Sequence, residues 1–140
     1  MIVKNNLNEL GKVFGELETI SSDFGFPLEI QHNLCLCIDE VFSNIVKYAY
    51  DDGKEHEIEI TFDYISRDRT FTITISDDGK PFNPLEVKSP DLTIDLLDRE
   101  IGGLGLFIVL NIMSNVEYNR DDCINRLKMT KDIDVEESGE

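Results

Sequence analysis

Glu40, Asn44 and Lys47 are spaced by four and three residues. On a helix they share one face, within roughly 60° of arc at about 100° per residue. A carboxylate, a carboxamide oxygen and an ammonium stacked over two turns can serve as a general base, a Mg²⁺ ligand and a phosphate contact. The same three residues also make an ordinary solvated face with pairs three and four apart.

Asp77-Asp78-Gly79 stands where an alternating run ends. An acid at a strand's end can accept a hydrogen bond from an exocyclic amino group, such as N6 of adenine. A glycine lets a planar ligand approach the backbone with no Cβ in the way. A plain strand-ending turn uses the same residues. Gly102-Gly103-Leu104-Gly105 precedes the apolar run Leu106-Phe107-Ile108-Val109. Glycines ahead of a helix offer N–H groups to a phosphate. No Gly-Lys-Ser/Thr follows, so this is not a P-loop. No buried strand leads into it, so it is not a dinucleotide fingerprint. Arg99, just before the glycines, could reach a γ-phosphate or pair with Asp98 or Glu100. Cys35 and Cys37 point in different directions on a helix, which argues against a metal site. Cys123 falls in a turn as an exposed thiol. His32 and His56 lack a serine or carboxylate constellation and read as surface residues.

These side chains must be positioned by the elements around them. Leu7, Leu10, Phe14, Leu17 and Ile20 recur at helical steps. Asn5 or Asn6 is a candidate cap, and Gly25 and Pro27 end that helix. A second helix is predicted from about Leu28 to Ala49, with Leu34, Ile38, Val41, Ile45 and Ala49 along one side and Asp51-Asp52-Gly53 as its stop. The period then becomes two. Ile58, Ile60, Phe62 and Tyr64 form one run and Phe71, Ile73 and Ile75 another, joined by the turn Ser66-Arg67-Asp68-Arg69. This predicts an antiparallel hairpin with one buried face. Residues 78–105 hold three of the four prolines and show no sustained periodicity beyond a short helix near Leu92 to Leu97. A connection this long inside a compact domain is usually functional. A helix from Leu106 to Met113 follows, then strands over Val116 to Arg120 and Ile124 to Lys131, turning at Asp121-Asp122-Cys123.

The chain has 140 residues, enough for one domain, and at 41% hydrophobic and 30% charged it can bury a core. Residues 132–140 carry five acids and no base, which predicts a frayed, disordered tail after a single domain over residues 1–131. The net charge of -16 would repel a polyanion, which argues against broad contact with nucleic acid or an anionic membrane. Three cysteines do not suggest a disulfide framework. With no long apolar run and no signal peptide, a cytoplasmic setting is expected.

The order of these motifs is more specific than any one of them. Asp39-Glu40-Val41-Phe42-Ser43-Asn44-Ile45, then Asp77-Asp78-Gly79-Lys80-Pro81-Phe82, then Gly102-Gly103-Leu104-Gly105-Leu106 resembles the GHKL ATPase superfamily (the HATPase_c domain). The nearer likeness is to its anti-sigma-factor serine/threonine-protein kinase branch, the RsbW and SpoIIAB type, over about Leu7 to Lys131. The resemblance implies a two-layer α/β (α+β) sandwich, the Bergerat-type ATP-binding fold, with a mixed, mostly antiparallel sheet and helices on one face. It implies ATP with Mg²⁺, Glu40 as the catalytic carboxylate, Asn44 as the Mg²⁺ ligand and Asp77 as the adenine contact. Gly79 would shape that pocket. Gly103, Leu104 and Gly105 would lie against the phosphates as part of a lid, and Lys47 would add a phosphate contact. The implied partners are an anti-sigma-factor antagonist, phosphorylated on a seryl residue, a sigma factor, and a second copy in a homodimer. Pro81 stands where the family's Asp-x-Gly-x-Gly has its last glycine, which stiffens the start of the lid. Two other readings are a nucleotide-sensing module that transfers no phosphate and a histidine-kinase-like ATPase domain. The latter needs a helix pair carrying a phospho-accepting His, for which this chain length leaves no room.

Overall fold

The computed structural model describes residues 1–81 and 101–133. Five strands, β1 (Ile2–Lys4), β2 (Glu57–Ile65), β3 (Thr70–Asp77), β4 (Asn115–Asp121) and β5 (Ile124–Asp132), form one sheet in the order β1-β2-β3-β5-β4. All four pairings are antiparallel, the predominant direction expected. Among the described residues, helices α1 (Leu10–Phe24), α2 (Leu28–Asn44) and α3 (Ile101–Ile112) accompany the sheet. The expected short helix near Leu92 to Leu97, Arg99, and the tail from residue 134 lie outside the described residues.

The period-two runs explain the sheet. Ile58 and Ile60 of β2, Phe71, Ile73 and Ile75 of β3, and Leu127 and Met129 of β5 are buried, while Glu59, Thr61, Arg126 and Lys128 between them are not. One face is therefore apolar, and it forms a single core with Val13 and Leu17 of α1, Leu34, Ile38, Val41 and Phe42 of α2, and Val109 of α3. Each such side chain contributes about 1.5–3 kcal/mol on burial.

A 3₁₀ turn over Leu7–Glu9, capped by the Asn6 side chain on the Asn8 N–H, leads into α1. Val13, Leu17 and Ser21 are the residues of α1 that face the core, with Leu10, Phe14 and Ile20 packed beside them, and Leu7 stays exposed. Gly25, at φ 70°, closes α1 in the left-handed region open to glycine. The helical segment starting at Leu28 ends at Ala49 as predicted, but its last five residues, Ile45–Ala49, form a π-turn. An i→i+5 turn holds an extra residue, so side chains after Asn44 fall out of phase with the α2 stripe. In the β4–β5 turn, Asp122 and Cys123 both have positive φ (51° and 65°), matching the tight hairpin expected there.

Candidate functional site

Asp77 ends β3 in phase with Phe71, Ile73 and Ile75, so its carboxylate points to the helix side and is 6% exposed. Its Oδ1 accepts from the Gly79 N–H at 2.9 Å and from Asn125 Nδ2 at 3.0 Å. Burial pushes the Asp77 carboxyl above its ordinary range. The bonds from Asn125 and Gly79 pull it back, neighbouring Asp78 raises it, and the Arg120 charge lowers it.

Gly79 is fixed by packing. A Cβ there would lie 2.6 Å from both the Cβ and the carbonyl oxygen of Ala49. The Lys80 N–H donates to that same carbonyl at 2.9 Å. The glycine thus admits the end of the π-turn against the turn after β3, a structural demand that the expected ligand approach did not include. Just beyond, the Tyr50 hydroxyl donates to Asp78 Oδ1 at 2.8 Å, and burial keeps that hydroxyl protonated. The Tyr50 ring stacks on His56 at 3.9 Å and 7°. His56 Nε2 lies 2.8 Å from Asp52 Oδ2, and Lys80 Nζ lies 2.9 Å from Asp51. The Lys54 N–H and then His56 hold Asp52 below the usual carboxylate range. His56 is therefore half-buried within a carboxylate and tyrosine cluster. This corrects the expectation of a plain surface residue, whereas His32 is exposed as expected. Asp52 is four residues before His56 in a loop, a spacing that carries no signal without the fold.

Glu40 and Asn44 sit one turn apart on α2, both half-buried. The side-chain nitrogen of Asn44 is buried and, among the described residues, has no hydrogen-bond partner. A buried amide without a protein partner is costly, about 1–3 kcal/mol. The other end of the amide is a hard oxygen of the kind Mg²⁺ takes. Lys47 is exposed and lies within the π-turn, so α-helical spacing does not set its angle to Glu40 and Asn44.

Gly102, Gly103, Leu104 and Gly105 belong to α3, which starts at Ile101. This corrects the expectation of a glycine loop with a helix beginning only at Leu106. The apolar run behind them propagates the helix, and glycine costs only about 1 kcal/mol per position. Cys37 is fully buried and its thiol is pushed up to about 12, while Cys123 is exposed.

Two residues at this end of the sheet were not singled out in the sequence. Asn125, 5% exposed, is the register partner of both Asp77 and Arg120. The signal was present, because Asn125 is in phase with Leu127 and Met129, and Arg120 is in phase with Val116 and Tyr118. A polar residue at an inward position marks a polar end to an apolar face.

Residues 3–131 match the family model described as the histidine kinase-like ATPase domain. The chain is 32% identical over 114 residues to the serine/threonine-protein kinase BtrW of Bordetella bronchiseptica, covering 81% of this chain and 79% of that protein. It is 31% identical over 121 residues to the serine-protein kinase RsbW of Listeria monocytogenes, covering 84% of this chain and 75% of that one. A similar fold occurs in the histidine kinase domain of a blue-light activated histidine kinase from Erythrobacter litoralis. The TM-score is 0.55 at 16% identity, over 89% of this chain and 61% of that one.

Proposed function

The chain belongs to the histidine kinase-like ATPase domain family, and from that membership we propose that it is an ATP-dependent serine/threonine protein kinase of the anti-sigma-factor type. Its substrate is a seryl hydroxyl on a small antagonist protein, and it also binds a sigma factor. The names of its relatives, BtrW and RsbW, support the protein-kinase reading over that of a histidine kinase. The observation that carries it is the pairing on α2 of half-buried Glu40 with Asn44, whose amide nitrogen is buried without a partner among the described residues.

The residues divide the work. The Asp77 oxygen not engaged by Gly79 or Asn125 accepts from the exocyclic amine of adenine. Gly79 keeps the pocket wall close to Ala49. Asn44 holds Mg²⁺ through its amide oxygen. When bound, the ion offsets charge on the triphosphate. Gly103, Leu104 and Gly105 on α3 would lie against the phosphates, and the exposed Lys47 ammonium would add a positive charge. Glu40 accepts the seryl proton as the seryl oxygen bonds to the γ-phosphorus and ADP leaves. No helix among the described residues is long and apolar enough to cross a membrane. A cytoplasmic setting with these two protein partners and a homodimer is part of the proposal.

Calorimetry with Mg·ATP and Mg·GTP tests the nucleotide assignment. Asp77 can accept from N6–H₂ of adenine but faces the O6 acceptor of guanine. ATP should therefore bind about tenfold or more tightly, the worth of one charge-assisted hydrogen bond. Equal affinities contradict the assignment.

A further inference from the structure

Resting on that reading of Asp77, the geometry points to Arg120 as a positioning residue: through Asn125 it fixes the Asp77 carboxylate so that one oxygen is held and the other is left for the ligand's donor.

The three residues lie in a row across β3, β5 and β4, since Asn125 is opposite Asp77 on one side and Arg120 on the other. An amide can present either end to a carboxylate, and only the nitrogen end is attractive. Here the choice is made by what the oxygen end meets. Asn125 Oδ1 accepts from Arg120 Nη1 at 2.8 Å and from the Tyr118 hydroxyl, which reaches it diagonally from β4. With two donors on the oxygen, Nδ2 must face inward. There it donates to Asp77 Oδ1 at 3.0 Å and to the Lys80 carbonyl at 2.9 Å. Arg120 Nη1 also donates to the Gly79 carbonyl at 3.1 Å, tying down the turn whose N–H holds the same Asp77 oxygen. Both bonds to Asp77 from the described residues therefore fall on Oδ1. Asn125 is nearly inaccessible and its amide is fully committed, so it has nothing left for a ligand. Its role is to aim Asp77, and Arg120 aims it.

Removing Arg120 leaves the weaker Tyr118 donor to hold the amide. Turned over, the Asn125 oxygen would oppose the carboxylate and favour its protonated form. The charged or titratable groups around Asp77 are then Asp78 beside it and Tyr50. Asp78 disfavours the ionised carboxylate and Tyr50 stays protonated and neutral, so nothing among them replaces the guanidinium.

The test is ¹³C NMR titration of the Asp77 carboxyl in the nucleotide-free full chain, paired with calorimetry of Mg·ATP from pH 5 to 8. Arg120→Met should move the Asp77 titration upward and weaken ATP about tenfold at neutral pH. Affinity should be lost from a higher pH downward than in wild type, because binding needs the ionised form. Arg120→Lys, which keeps a charged donor, should restore part of both. Tyr118→Phe alone should change little, and combined with Arg120→Met it should exceed the single variant. An Asp77 titration unchanged in Arg120→Met, or no rescue by lysine, overturns the positioning role. Should Arg120→Met not fold, the same comparison is made with Arg120→Gln, which keeps a donor but removes the charge, and an unmoved titration there overturns it. A wild type that binds no adenine nucleotide overturns the functional reading, and the NMR comparison still decides the role of Arg120.

Discussion

Glu40→Gln is expected to bind Mg·ATP within a few-fold of wild type and to lose about 10²–10⁴ in the rate of phosphotransfer, the usual contribution of a positioned base. A seryl hydroxyl is a poor nucleophile until its proton has somewhere to go. Glutamine has the size and nearly the helix propensity of glutamate, so α2 and its packing against the sheet are retained while the basicity is removed. The loss should fall on the rate because Glu40, one turn before Asn44, is proposed as the base and Asn44 as the metal contact. Single-turnover transfer from γ-labelled ATP measures it. A variant with the wild-type rate would show that Glu40 is not the base. Asn44→Ala belongs to the other class of effect, since it removes the proposed metal contact and should weaken metal-dependent binding itself.

Asp77→Asn should weaken ATP by about tenfold or more and narrow the preference for ATP over GTP. Asparagine can still accept from the Gly79 N–H and Asn125 Nδ2 through its oxygen. It then turns its own N–H₂ toward the adenine amine, donor against donor. The fold should not suffer. The folded-state pKa of Asp77 is raised by burial, so its ionisation opposes folding. At low pH, where Asp77 is protonated in both folded and unfolded chains, the variant and wild type should be equally stable. As pH rises from the ordinary aspartate range near ~3.9 through the raised folded value, wild type loses stability and asparagine does not. Urea denaturation at pH 7 should therefore find the variant as stable as wild type or more so. A variant that binds poorly because it is unfolded would refute this separation of binding from stability.

Much of this site was legible because its residues obey simple periods. The four-residue step from Glu40 to Asn44 survives in α2, and the alternation that buries Ile73 and Ile75 also delivers Asp77 to the helix side. The unreadable parts depend on contacts between distant segments or on a local change of period. The π-turn at Ile45–Ala49 changes the angle of Lys47 to Glu40 and Asn44 because one extra residue enters the turn, which no hydrophobic stripe reveals. Gly79 looked like a ligand-facing glycine, but the atoms its Cβ would strike belong to Ala49, thirty positions earlier. His56 appeared isolated because Tyr50, Asp52 and Asp78 meet it only once the segment after the π-turn is folded against the end of β3. Composition reads the glycines of α3 as a loop, but the apolar run behind them extends the helix back to Ile101. Asn125 and Arg120 had a readable phase, but their importance came from the register that sets them beside Asp77.

The most direct measurement incubates the wild-type chain with Mg²⁺, γ-labelled ATP and the candidate antagonist proteins encoded in the same genome, and then identifies the labelled amino acid. The account predicts label on a seryl residue of one antagonist, stable to the acid that hydrolyses phosphohistidine and absent with Glu40→Gln. A nucleotide-dependent complex with an antagonist that carries no label on serine would contradict it, and would leave the chain a binding module.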